Sequence, residues 1–125
     1  MKKEPAIKVL KVEPDKAPEL IEMPNELEAM QAIVGGYIEV CPIAEGVAIV
    51  CNEEGKMNGM ALNRPIYHGG KIVDIIAGTF FIAGDDISIG EFVSLTEEQI
   101  AKYKKQFKDP VVFVKLGGEI IALPR

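Results

Sequence analysis

The stretch VVFVKLGGEIIAL, residues 111–123, decides the fold class. Two strand-forming runs are joined by Gly117-Gly118, and a glycine pair readily takes the positive φ that a two-residue hairpin turn requires. Working outward, the same alternation of apolar run and turn recurs. Residues 7–12 and 20–23 read as strands around Glu13-Pro14-Asp15-Lys16, which is turn chemistry. Residues 37–43 and 46–52 read as a second pair. Residues 71–77 and 79–83 read as a third, around Gly78, where a bulge or a close backbone approach is expected. Residues 57–62 are expected to form a short strand paired back on 47–51. Asn63-Arg64-Pro65 should then break regularity, and His68-Gly69-Gly70 should turn the chain.

Two segments carry helical signals. Asn25 and Glu28 have the spacing of a capping box, in which each side chain satisfies an otherwise unpaired backbone N–H. Leu27, Met30 and Val34 then share one face, and Gly35-Gly36 ends the helix. Thr96 and Gln99 repeat the capping spacing before a stripe of Ile100, Tyr103 and Phe107. Lys102, Lys104, Lys105 and Lys108 face water and complement the helix dipole, and Asp109-Pro110 stops the run. Hairpins and short breaks leave little room for parallel crossovers. The expectation is one α+β domain over residues 1–125: a mostly antiparallel sheet, two helices packed on one face, and a C-terminal β-hairpin.

Composition bounds the function. With 48% apolar residues in 125, the chain can bury a real core. A net charge of −5 argues against a duplex nucleic-acid binder, which needs a basic face to neutralise phosphates. No apolar run approaches the ~18 residues of a membrane span. The opening MKKEPAIKVL lacks the apolar region of a secretory signal, so a cytoplasmic location is expected. Cys41 and Cys51 sit in apolar runs ten residues apart across a turn, and read as buried free thiols that face each other on neighbouring strands. With His68 the lone histidine and no CxxC pair, neither a metal site nor a cofactor is expected.

Between residues 52 and 68 the polar side chains exceed what turns alone require. Asn52 and Asn63 can each donate and accept through one amide. Arg64 offers a planar fork for phosphate, Lys56 a point charge, and Tyr37 a ring on which a base can stack. Tyr37, Asn52, Lys56, Asn63, Arg64 and Thr79 are therefore the candidate ligand-binding set, suited to a small anionic nucleotide-like ligand at or near a homo-oligomer interface. The competing reading is turn chemistry, with Arg64 paired to Glu53 or Asp74. No catalytic residue is assigned.

Gly35-Gly36-Tyr37-Ile38-Glu39, Asn52-Glu53-Glu54-Gly55-Lys56, Asn58-Gly59, Leu62-Asn63-Arg64 and Asp74-Ile75-Ile76-Ala77-Gly78-Thr79-Phe80-Phe81, taken as a set, resemble a small domain family of unknown function. That family is found on phages, plasmids and conjugative elements of Gram-positive bacteria. The likeness spans about 7–107 and leaves 108–125 as an extension. It implies a cytoplasmic accessory protein of a mobile element in a bacterial host cell. The leading expectation is a non-catalytic binding protein that sequesters a nucleotide-type immune signal. The alternatives are an interaction module acting on a host or element-encoded protein, and a small nucleotide hydrolase using His68 with Glu53 or Cys51.

Overall fold

The computed structural model describes residues 3–125. Met1 and Lys2, part of the opening stretch read above for a secretory signal, lie outside the described residues. The main sheet takes β1 (Ala6–Val12), β2 (Glu19–Pro24), β3 (Ile38–Ala44), β4 (Val47–Asn52), β7 (Phe80–Asp86) and β8 (Glu91–Val93). Its order is β2-β1-β7-β4-β3, with β8 paired to the end of β7, and every pairing is antiparallel. Two further hairpins form sheets of their own: β5 (Leu62–His68) with β6 (Lys71–Ala77), and β9 (Val111–Leu116) with β10 (Glu119–Pro124). The helices are α1 (Leu27–Val34) and α2 (Glu97–Gln106). The α+β class, the antiparallel sheets and the C-terminal hairpin are those expected.

The helices do not share a face. Successive residues of a strand point to opposite sides of its sheet. In β7, Phe80 and Ile82 join a core with Leu10, Ile49, Tyr103 and Phe107, the last two from α2 and its end. Phe81 and Ala83 point the other way, into a core with Val9, Val50, Met30 and Val34, the last two from α1. Thus α1 covers one face, and α2 covers the other together with Ile76 and Ile66 of the β5–β6 hairpin. The reason lies in β4 and the first residues of β7, which are buried on both sides. A strand buried on both sides must be covered on both sides, and its sequence runs continuously apolar.

Three local expectations give way to longer-range contacts. Residues 57–62 do not pair with β4, because β4 already has β3 on one edge and β7 on the other. The chain turns there instead and enters β5, which contains Asn63, Arg64 and Pro65. In a two-stranded sheet each strand keeps one free edge, so a proline without an N–H is tolerated. Asn25 does not cap α1. Glu26 is the N-cap and makes no side-chain cap bond, while the Asn25 amide donates to the carbonyls of Glu4 and Phe92. The Thr96–Gln99 capping box forms as expected, with Gln99 N–H donating to Thr96 Oγ1 and Thr96 N–H to Gln99 Oε1. Gly35 ends α1 at φ 80°, a left-handed conformation that suits glycine.

Candidate functional site

The polar segment of residues 52–68 divides between two places. Asn52 ends β4, where its Oδ1 accepts from Glu54 N–H at 2.8 Å and starts a turn. Its Nδ2 donates to the carbonyl of Val34 at 3.2 Å, satisfying the end of α1. Past this turn a cleft of about 230 Å³ opens against β6. Glu39, Cys51, Glu53, Glu54, Lys56 and Asp74 are among the residues lining it. Lys56 Nζ lies 2.6 Å from Asp74 Oδ1.

Of the six residues expected to form one ligand site, Asn52 and Lys56 line this cleft, whereas Tyr37, Asn63, Arg64 and Thr79 do not. Tyr37 is 75% exposed and reaches the segment through its backbone, its carbonyl accepting from Glu53 N–H. Thr79 is half-buried in the link between β6 and β7. Asn63 is fully buried, and its Nδ2 donates to the carbonyls of Val12 at 2.9 Å and Gly78 at 2.8 Å.

Arg64 corrects the expectation most sharply, for it is 1% exposed and its donors are committed inside the protein. Nε and Nη2 both donate to the carbonyl of Phe107, the C-cap of α2, at 3.1 and 3.0 Å. Nη2 also reaches the carbonyl of Lys16 at 2.6 Å. Nη1 donates to Asn63 Oδ1 at 2.8 Å and to the carbonyls of Pro14 and Glu13 at 3.3 and 3.5 Å. The guanidinium is thus a clamp that ties the end of α2 to the β1–β2 turn, at the helix terminus where a cation is favoured. Burial pulls its pKa down and the charge of Asp109 works the other way. An arginine stays protonated under such pressure. It pairs with neither Glu53 nor Asp74 as a side-chain ion pair.

The cleft is acidic. Glu39, Glu53, Glu54 and Asp74 are set against Lys56 alone, and Lys56 is already paired. A phosphate entering it meets net repulsion, so the geometry that brings these residues together favours a cation over a nucleotide. Burial pushes the Asp74 carboxyl up, but the Lys56 hydrogen bond, the Ile75 N–H and the Lys56 charge together leave it below the ordinary value. Because that pKa is depressed, the pair stabilises the fold above the unfolded carboxyl pKa and the gain is lost as pH falls through the folded one. Lys56→Ala should therefore lower stability by less than about 1 kcal/mol at neutral pH, as exposed pairs do. The difference from wild type in urea unfolding should shrink to nothing in strong acid. A difference that grows on acidification contradicts this assignment.

The cysteines adjoin the same cleft. The β3–β4 register sets Glu39 opposite Cys51 and Cys41 opposite Ile49, so Glu39, Cys41 and Cys51 share one face of the sheet. Burial pushes the Cys51 thiol up to about 12, with neighbouring Cys41 and Glu39 adding to the effect. Burial and Glu39 raise Cys41 as well, partly offset by its hydrogen bond with Cys51. Both are neutral thiols near pH 7 and poor nucleophiles. His68 sits in the β5–β6 turn region and is not among the residues lining the cleft with Cys51 and Glu53. The sequence reading found the cysteines as neighbours but missed Glu39. Its signal was a shared parity: residues 39 and 41 face the same way on a strand whose partner ends near Cys51.

Among the described residues no helix is long and apolar enough to cross a membrane. No curated protein and no solved structure matches the chain. Residues 7–108, from β1 to just past α2, match a domain of unknown function, DUF3846, and stop short of the C-terminal hairpin. The chain thus belongs to the DUF3846 family.

Proposed function

We propose that this chain is a non-catalytic protein-interaction module that assembles with a second copy of itself through the β9–β10 hairpin. The observation that carries this reading is the outward face of that hairpin. The register pairs Val112 with Leu123 and Val114 with Ile121, and Leu116 lies on the same side. Val112, Leu116 and Leu123 are exposed, Leu116 at 59%. The other side of the hairpin is apolar too, and Ile120 and Ala122 border a groove of about 530 Å³ shared with Tyr67 and Ile72. A two-stranded hairpin is marginal alone, and an apolar face of this kind on a soluble surface is a mark of interaction.

The strand edges favour a second copy as the occupant. A protein guards its sheet edges with charge, proline and bulges. Edge strand β2 carries Glu19 and Glu22, and edge strand β3 carries Glu39, Pro42 and a bulge. β10 carries Glu119 and Pro124 at its two ends, and its middle, Ile120-Ile121-Ala122-Leu123, has neither charge nor proline. An edge guarded only at its ends, beside a self-complementary apolar face, suits two-fold pairing, in which the same patch meets itself. In the mobile-element setting that the family resemblance implies, a dimer of this kind would act by occupying a partner and would need no chemistry of its own. The nucleotide-signal reading has lost its main support, since Arg64 and Asn63 are spent inside the fold and the cleft is acidic.

Light scattering coupled to size exclusion tests the proposal. Wild type is expected to run as a dimer, and Leu116→Lys with Leu123→Lys as a folded monomer with an unchanged circular dichroism spectrum, since both side chains face solvent in one copy. A wild type that stays monomeric at high concentration overturns self-association and leaves the face to a different protein.

A further inference from the structure

We propose that Glu39, Cys41 and Cys51 form a binding site for a thiophilic divalent ion of the zinc class. One carboxylate oxygen and the two sulfurs all lie within 4.8 Å of one another. The closest approach of Cys51 Sγ to Glu39 Oε1 is 3.9 Å. An ion bound tetrahedrally, with metal–sulfur bonds of ~2.3 Å, spaces its ligand atoms by roughly 3.8 Å. The three atoms therefore stand near the separation such an ion imposes, and small side-chain rotations close the rest.

The sheet makes this arrangement without a sequence motif. Glu39 and Cys51 are direct partners across β3 and β4, and Cys41 is the next residue along the same face of β3. The two cysteines are thus diagonal neighbours. Diagonal Cα atoms in an antiparallel pair lie ~7–8 Å apart, beyond the ~6.8 Å that a disulfide usually spans. A shared ion bridges that separation where a direct S–S bond strains to do so. The ligands are graded from core to solvent, with Cys51 buried, Cys41 half-buried and Glu39 exposed, which leaves an entry path. Glu53, Glu54 and Asp74 in the adjoining cleft raise the local concentration of cations. Two sulfurs and one carboxylate select a soft or borderline ion over Mg²⁺ or Ca²⁺, which take oxygen ligands. Three protein ligands leave a fourth position for water or a ligand from the cleft.

The test uses the reduced, chelator-treated protein titrated with Cd²⁺, whose bonds to thiolate give an ultraviolet charge-transfer band, and with Zn²⁺ by calorimetry. Each metal–sulfur bond replaces an S–H bond and its proton is released to the buffer, so one ion per chain is expected, with the band present, stronger binding at higher pH and the melting temperature raised. Cys41→Ser should abolish the band, and Glu39→Gln should weaken Zn²⁺ binding by about tenfold or more. Both substitutions fall outside the fully buried core, so they keep the test decisive even where Cys51→Ser fails to fold. Folded wild type without a band overturns the proposal. So does binding that survives Cys41→Ser and is competed away by Ca²⁺, which would be binding to the cleft carboxylates alone.

Discussion

Arg64→Ala should lower the unfolding free energy by about 3–5 kcal/mol, because it removes several charge-assisted hydrogen bonds worth roughly 1.5–3 kcal/mol each and leaves acceptors behind. Those acceptors are the carbonyls of Phe107, Lys16, Pro14 and Glu13 and the side chain of Asn63. Some regain water when the side chain goes, which keeps the total below the sum of the parts. In a domain of this size the loss corresponds to a fall in melting temperature of roughly 10–20 °C. Arg64→Lys should recover little of it, since an ammonium standing in for Nη2 reaches the Phe107 and Lys16 carbonyls at most and leaves Asn63 Oδ1 and the Glu13 and Pro14 carbonyls without the Nη1 donor. Denaturant unfolding of the two variants measures this directly. A variant within about 1 kcal/mol of wild type would show that the clamp is dispensable.

Phe80→Ala should be comparably severe, at about 3–5 kcal/mol, the range for removing a buried aromatic ring. Phe80 is fully buried on the central strand and meets the ring of Phe107 edge-on, with centroids 5.8 Å apart. Phe107 in turn stacks on Tyr103 at 6.4 Å and lends its carbonyl to Arg64. The two predicted losses share this residue, so they should not add. The double variant is expected to lose less than the sum of the single ones, as contacting residues do. Strict additivity in the same unfolding experiment would mean that Phe107 does not couple the arginine clamp to the core.

The fold was legible wherever neighbours in sequence are neighbours in space. The β9–β10 hairpin and the Thr96–Gln99 box close over a few residues, and both form as read. Arg64 and Asn63 looked like ligand contacts because buried clamps and ligand contacts use the same side chains. What separates them is where their partners lie, 43 and 51 residues away along the chain. Asn25 failed in the same way, since its amide serves Phe92, 67 residues on, rather than its own helix. The opposite placement of the helices was open to reading. Runs such as VAIVC and FFIA lack the alternation of a half-exposed strand, and that lack marks a strand covered on both faces. In the cleft, Asn52, Glu53, Glu54 and Lys56 were legible as neighbours, whereas the other two carboxylates that set its charge come from Glu39 on β3 and Asp74 on β6.

The strand order also sets a timetable for synthesis. β7 joins β1 to β4, yet it is made after both. Until Phe80–Asp86 has left the ribosome, β1–β2 and β3–β4 are separate hairpins with no strand between them. Elongation at ~5–20 residues per second leaves that gap open for some seconds. During that time Leu10, Val12, Ile49 and Val50 stand at unpaired edges, where they invite pairing with another chain. Long-range closure of this kind is also slow in itself. A nascent chain stalled before Phe80 is therefore in its most aggregation-prone form, and the seven residues of β7 end that exposure in a single step.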